Sequence, residues 1–290
     1  MSKVIKAPPP PGSPEWMRLI TPSKIPAILG ISPWESQFSL WHKMHGDLPA
    51  EQPSNDIFDW GHAAEDSLVN WWKLKNPGWR TNNSEIAYTN SDLPFPNLAT
   101  LDRRAVRGRR YAIIECKTTR NLDEWGKPGE PHSVPLYYEA QVLGQMAFSN
   151  FREAYVVVLG YGVPEIHPVP WDRPTWNLIF DECVAWNESL KAGVPPALDA
   201  SKATYEAVRG LHPDIERGVE VELPHDLAAS YLDAVRAKDS AETALRQKTI
   251  EVADFMGTAH KAMCRGVKIA DRRARGNNTP TVYPNKRAAL

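Results

Sequence analysis

The order of elements along the sequence predicts an α/β (α+β) chain, with a mixed central sheet flanked by helices on both faces and a helical C-terminal extension. Three observations predict it. A helix-period stripe over 56–75 precedes a strand and a hairpin pair of strands. A second helix over 137–149 then leads into the continuous apolar run Ala154 to Leu159, which reads as a fully buried strand. Beyond Pro195-Pro196 the composition changes, and a long helical pattern covers His225 to Phe255.

Taken in order, residues 1–14 hold five prolines, so 1–15 is expected as a flexible tail. The core is expected over 16–198 and the extension over 199–290. Thr21 or Ser23 is a candidate N-cap for a short helix over 24–29, with Pro22 or Pro26 in its first turn and Gly30 at its stop. Ser32-Pro33-Trp34 is a turn, and Ser36 to Met44 a second short helix. In the 56–75 helix, Ile57, Trp60, Ala64, Leu68 and Trp71 follow the three-four spacing of one buried stripe, and Asn76-Pro77-Gly78 ends it. Strands are expected over 84–89, 98–106 and 111–117, with Arg107-Gly108-Arg109 as the turn between the last two. Tyr111, Ile113, Glu115 and Lys117 then share a face. A shorter strand follows at 165–169, and a helix over 174–191 turns Trp176, Ile179, Phe180 and Val184 inward. The 225–255 pattern, rich in Ala, Lys, Glu and Asp, suits a long, partly exposed helix packed along one edge. Residues 261–290 hold eight Lys or Arg against one acid, Asp271.

A chain of 290 residues with 42 % hydrophobic and 24 % charged residues can bury a full core. This excludes a disordered chain, a collagen and a disulfide-stapled miniprotein. The formal net charge of -1 does not by itself mark a nucleic-acid binder, so the distribution of charge matters more than its sum. The three cysteines, Cys116, Cys183 and Cys264, form no CxxC pair; they favour a reducing, cytoplasmic setting and cannot supply four thiolates to an iron–sulfur cluster. The start lacks the apolar core of a signal peptide, and the longest nearly apolar stretch, 154–163, is about half a membrane span. No membrane partner is expected.

The chemistry-bearing residues converge on one strand pair. Asp102 follows Leu98-Ala99-Thr100-Leu101, and Glu115-Cys116-Lys117 follows Tyr111-Ala112-Ile113-Ile114. If the strands are antiparallel neighbours, Asp102, Glu115 and Lys117 meet. Burying charges at the end of an apolar strand is costly without partners. Two readings stand: a site for metal-dependent phosphodiester hydrolysis, in which carboxylate oxygens hold Mg²⁺ and lysine orients or helps deprotonate water, or a surface ion pair at a sheet edge. Gly61 and Glu65 lie one turn apart on the 56–75 helix; Gly61 would let that face approach the sheet and bring Glu65 to a metal, or Glu65 is an exposed helical acid. His62, with no second histidine at ligand spacing, is expected as surface. Tyr138, Gln141 and Gln145 share a helix face that either serves the site or meets water. Arg103, Arg104, Arg107, Arg109 and Arg110 crowd one hairpin, either as phosphate forks beside the site or as a solvated turn. Trp34 and Trp125, in polar loops, either stack on a base or anchor their loops.

Together, Gly61-x-x-x-Glu65, Asp102, Glu115-Cys-Lys117 and Tyr138-x-x-Gln141 resemble the PD-(D/E)XK nuclease superfamily, and more narrowly its YqaJ-like viral recombinase family of lambda-exonuclease-type nucleases. Arg18-Leu19-Ile20-Thr21-Pro22-Ser23-Lys24-Ile25 resembles the family's first helix, and Ile28 to Trp34 is typical of it; the likeness covers roughly 16–190. One departure is Arg103 after Asp102, where the family often has glycine. The resemblance implies a restriction-endonuclease-like fold and a Mg²⁺-dependent exonuclease, with Mn²⁺ able to substitute. Asp102, Glu115 and the Cys116 carbonyl would be principal metal ligands and Glu65 an outer or second-metal ligand. Lys117 would position or activate water, Gln141 would orient Lys117 or that water, and Tyr138 would support the site. Arg18, Ser23 and Thr100 would touch phosphates. The implied partners are double-stranded DNA ends, a single-strand annealing protein and further copies in a trimeric ring. The implied activity is 5′→3′ digestion leaving 3′ single strands for phage-type recombination. The alternatives are an endonuclease of the same superfamily, the iron–sulfur branch, against which the cysteine count argues, and a non-cleaving DNA-end binding or scaffold module.

Overall fold

A computed structural model of the protein describes residues 1–50, 56–274 and 276–290, which form two compact units, Met1–Ile215 and Glu216–Leu290. The elements of the first are β1 (Ser2–Ile5), α1 (Pro14–Met17), α2 (Ile25–Ile28), α3 (Gln37–His45), α4 (Asp56–Lys75), β2 (Arg80–Thr81), β3 (Ile86–Asn90), β4 (Ala99–Leu101), β5 (Arg103–Arg107), β6 (Arg110–Thr118), α5 (Leu136–Ser149), β7 (Glu153–Leu159), β8 (Glu165–Pro170), α6 (Arg173–Ala192) and α7 (Lys202–Leu211).

Five strands form the central sheet in the order β2-β5-β6-β7-β8. The sheet is mixed, as expected: β6 and β7 run parallel, and every other pair is antiparallel. A parallel pair needs a crossover, and α5 supplies it. Successive residues of β6 point to opposite faces. Ile113 joins Leu143, Met146 and Phe148 in the core under α5 and α6, while Ala112 and Ile114 pack with Leu68, Val69 and Trp72 of α4. The helices therefore cover both faces.

Several expectations shift. The strand expected over 98–106 is two strands: β4 pairs with β3 in a small three-stranded sheet, β5 pairs with β6, and Asp102 alone separates them. Residues 2–5, expected in the flexible tail, pair antiparallel with β3 as β1, and the Ser2 hydroxyl donates to the Phe148 carbonyl. The open edge of β3 and that carbonyl give the apolar Val4-Ile5 stretch a place to pair before the prolines begin. Along α4, Trp60 is exposed and Trp72 is buried in its place, so the helix meets the sheet through Leu68, Val69 and Trp72. The Ile57 side chain and Arg275 lie outside the described residues. The first unit also runs past 198, because α7 packs Ala207 against Phe38 and Leu48. The second unit carries α8 (His225–Met256) and, beyond the helix expected, an antiparallel sheet of β9 (Lys261–Cys264), β10 (Val267–Arg273) and β11 (Thr281–Pro284). No helix of the described residues is long and apolar enough to cross a membrane.

The segment before α2 is tied down by a buried amine. Lys24 Nζ donates to the carbonyls of Trp16, Met17 and Leu19 at 2.8–2.9 Å and lies 3.9 Å over the Trp16 ring. Burial pulls the ammonium down to about 7, and the three carbonyls and the ring are what favour a proton on it. Lys24→Met takes their donor from the Met17 and Leu19 carbonyls and should lower the unfolding free energy by about 2 kcal/mol in urea denaturation; an unchanged midpoint would remove this anchoring role.

Candidate active site

The register of β5 on β6 builds the site. Arg103 lies opposite Ile114, so Asp102, at the break before β5, falls beside Glu115. Asp102 Oδ2 accepts the backbone N–H of Cys116 at 2.7 Å. Glu115 shares the face of Ile113 and points at α5. It is buried, and three donors hold it: Lys117 Nζ and Gln141 Nε2 on Oε1, at 2.6 and 2.7 Å, and Gln145 Nε2 on Oε2 at 2.6 Å. Gln141 and Gln145 reach it together because they stand one turn apart on α5. Lys117 Nζ sits 4.9 Å over the Tyr138 ring. The structure thus brings together Asp102, Glu115, Lys117, Tyr138 and Gln141. It also adds Gln145, whose place on the same face was legible but whose burial was not. Glu115 and Lys117 are not an exposed pair at a sheet edge, since β6 lies at the centre of the sheet.

The electrostatics are acid-rich. Burial, and then the Glu115 carboxylate, push Asp102 well above the usual carboxylate range, against the pull of Lys117 and the Cys116 N–H. Burial pulls the Lys117 ammonium down, but Glu115 and Asp102 outweigh it and hold it above its usual value. Burial and the surrounding carboxylates push the Cys116 thiol up, which disfavours its thiolate. Glu65 lies on α4, on the other face, with its carboxyl raised first by burial and then by Glu85, against Arg103. The approach expected at Gly61 is not what places it: no described atom lies within 4 Å of a Cβ built there.

Hard oxygen donors and an excess of carboxylate over cation are what a divalent metal such as Mg²⁺ requires. Gln145 Oε1 is buried without a hydrogen-bond partner among the described residues, leaving an acceptor beside Glu115 for a hydrated cation. Asp102, Glu115 and the Cys116 carbonyl therefore fit such a group. Glu65 fits less directly: among the described residues, the three-residue cluster with ligand atoms within 4.8 Å of one another is His62, Glu65 and Glu85, not Glu65, Asp102 and Glu115.

The arginines depart from expectation. Arg103 is turned inward and buried, donating to the Asp102 carbonyl and Asp66 at 2.6 Å each, with Nη1 3.4 Å from Glu65. It locks α4 to the sheet and is closed to a phosphate. Arg104 is half-buried, donating to the Tyr88 phenol. Arg107 lies over the Trp79 ring, Arg110 pairs with Glu153, and Arg109 is exposed. Their turn closes the end of the hairpin opposite the site: four residues of strand, about 13 Å, separate Arg103 from Arg107. Arg107, Arg109 and Arg110 therefore do not stand beside the carboxylates. Arg18 and Ser23 are exposed, and Ser23 shares a hydrogen bond with Thr21. Pro22 and Ile25 press on α5 at Gly144, where a Cβ would collide with Ile25 Cδ1, so the 22–25 segment lies against the helix that carries Gln141 and Gln145. The Thr100 carbonyl accepts from Gln145 Nε2 at 3.3 Å.

If Arg103 is a structural lock, Arg103→Gln should cost about 3 kcal/mol of stability, the scale of breaking a buried pair, while Arg109→Gln should stay within about 0.5 kcal/mol of wild type. Equal melting curves for the two variants would return Arg103 to the surface role.

Residues 16–152 match the family model of the YqaJ-like viral recombinase domain. The YqaJ protein of Bacillus subtilis strain 168 is 29 % identical over 203 residues, a match that takes in 68 % of this chain and spans 61 % of that protein's length. An alkaline exonuclease from Laribacter hongkongensis is similar in structure, with 15 % identity, a TM-score of 0.48 and coverage of 61 % of this chain and 90 % of that one. A phage-related exonuclease from Haemophilus somnus 129PT is similar at 11 % identity and a TM-score of 0.43, over 60 % and 94 % of the two chains. The motifs that meet at Asp102 and Glu115 all fall within the span that matches the YqaJ-like viral recombinase domain.

Proposed function

We propose that the protein is a metal-dependent DNA exonuclease that acts on duplex ends, 5′→3′, and leaves 3′ single strands for phage-type recombination. The observation that carries this is the meeting of Asp102, Glu115, Lys117 and Gln141 at one strand end within the span that matches the YqaJ-like domain. Asp102, Glu115 and the Cys116 carbonyl would hold Mg²⁺ or Mn²⁺, with Glu65 as an outer ligand. The metal, when bound, would supply a Lewis acid and a more acidic water. Lys117, fixed by Glu115, presents a cation to the phosphate or to the attacking water. Gln141 and Gln145 hold the Glu115 carboxylate in one orientation, and Tyr138 carries the lysine. Ser23 and Thr100 are the proposed phosphate contacts near the site, with Arg18 and Arg109 as outlying ones. The proposed partners are a duplex DNA end, a single-strand annealing protein that takes the 3′ strand, and further copies of this chain in a ring. The proposed setting is the cytoplasm of a bacterial host or phage-infected cell. The division into a nuclease core and a C-terminal extension that serves DNA, ring or partner belongs to the same reading.

The test is a time course with Mg²⁺ on linear duplex labelled separately at each 5′ and 3′ end, beside a covalently closed circle. Early loss of 5′ label with the circle intact is expected; cutting of the circle makes the protein an endonuclease, and binding without cleavage a scaffold module. Asp102→Ala, Glu115→Ala and Lys117→Ala should each be nearly inactive, and near-wild-type activity in any one overturns the site. Independently of cleavage, millimolar Mg²⁺ should raise the melting temperature of wild type, since a ligand of the folded state stabilises it. It should leave Asp102→Asn unmoved; equal shifts in both would place the metal elsewhere.

A further inference from the structure

We infer that Trp34 is a stacking platform for a nucleobase of the strand that enters the site; this rests on the nuclease reading and adds a subsite to it. The indole is 65 % exposed, unusual for so large an apolar ring. Yet it is not loose. Its ring packs edge-on against Tyr137 at 5.1 Å and tilted against Tyr138 at 5.9 Å. The turn beneath it is pinned, because the backbone N–H groups of Trp34 and Glu35 both donate to the Ser32 hydroxyl. Tyr137 is itself held by Glu124 at 2.7 Å. Tyr138 is the same ring that lies under Lys117 Nζ, the amine bound to Glu115. A row of aromatic rings thus runs from the open surface to the ammonium beside the candidate metal ligands.

Beyond the indole opens a cavity of about 800 Å³, lined by Trp34 with Ser32, Gln37 and Lys202 and by the acids Glu35, Asp199 and Glu206. That volume lies within the range of ligand sites; its hydroxyls and amide suit the edge of a base, and with three carboxylates against one ammonium it takes the base and not the phosphate. Trp125 makes the contrast. It also touches Tyr138, at 5.8 Å, but packs against His167 and the core and is only partly exposed, so it anchors its loop. A flat, rigidly supported face left open beside a phosphodiester-cleaving site fits a base that has left its duplex. Stacking accepts any base, because each has a π face, so it suits an enzyme that digests without reading sequence.

The test pairs wild type, Trp34→Ala and Trp34→Phe with linear duplexes carrying an abasic residue at each terminal position of each strand in turn. At one position the missing base should cost wild type roughly tenfold in kcat/KM, mostly through KM, the scale of one stacked base. Trp34→Ala should lose about the same on the intact substrate and nothing further on the abasic one, while Trp34→Phe keeps most of the activity. In Ca²⁺, 2-aminopurine at that position should be quenched on binding to wild type and not to Trp34→Ala. Unchanged KM in Trp34→Ala, or losses that multiply, overturns the proposal. If Trp34→Ala does not fold, wild type and Trp34→Phe decide it: no abasic effect and no quenching overturn it. If wild type cuts no DNA in Mg²⁺ or Mn²⁺, the nuclease reading fails, and the quenching still decides whether a base stacks.

Discussion

A carboxylate buried inside a sheet must be given donors, and Glu115 is that carboxylate. Left unpartnered it would cost several kcal/mol. Three side chains meet the demand, one from its own strand and two from α5. This explains why α5, otherwise apolar on its buried side, carries glutamines at 141 and 145. It also fixes how that helix lies across the sheet, because both amides must reach one carboxyl group. Since α5 is the crossover between the parallel strands β6 and β7, the same demand governs the centre of the fold. Gly144, between the glutamines, is where the 22–25 segment presses in, so the segment bearing Ser23 is referred to the same helix.

The second constraint is the break at Asp102. One residue separates a strand of the small sheet from a strand of the central one, and the chain changes partners there. At that point a carboxylate can project beside Glu115 and accept the Cys116 N–H, where a residue in a continuous ladder would be committed to the pleat. Arg103 follows at once and ties the Asp102 carbonyl, Asp66 and Glu65 together from below. The site is thus bracketed from both faces of β6: odd residues Ile113, Glu115 and Lys117 toward α5, even residues Ile114 and Cys116 toward α4.

Much of this was legible. The two-residue period of β6 placed Glu115 and Lys117 together, and the helical period of α5 placed Tyr138, Gln141 and Gln145 on one face. What was not legible depends on partners distant in sequence. Leu98 to Val106 reads as one strand because nothing local marks a change of sheet. Arg103 reads as one more arginine in a basic hairpin, because its burial is decided by Glu65 and Asp66 on α4. Trp60, Trp71 and Trp72 offer two overlapping stripes, and only the sheet selects Trp72. The reach of the hairpin arginines could have been corrected from the sequence itself, since a turn at 108 must lie a strand's length from a site at 102 and 115.

That distance bears on how a substrate would be held. With Arg103 and Arg104 drawn inward and the hairpin turn about 13 Å along the strands, the one phosphate lying over Asp102 and Glu115 is out of reach of Arg107, Arg109 and Arg110. The cation at hand is Lys117; the other groups on Glu115, Gln141 and Gln145, are neutral. Such a site gains little from long-range attraction, which grows with the number of phosphates neutralised, and must rely on positioning. Positioning in turn needs groups that do not move. The bonds to Glu115, the three carbonyls around Lys24 and the packing at Gly144 make the elements around the carboxylates rigid, and the open ring of Trp34 stands on that rigid base.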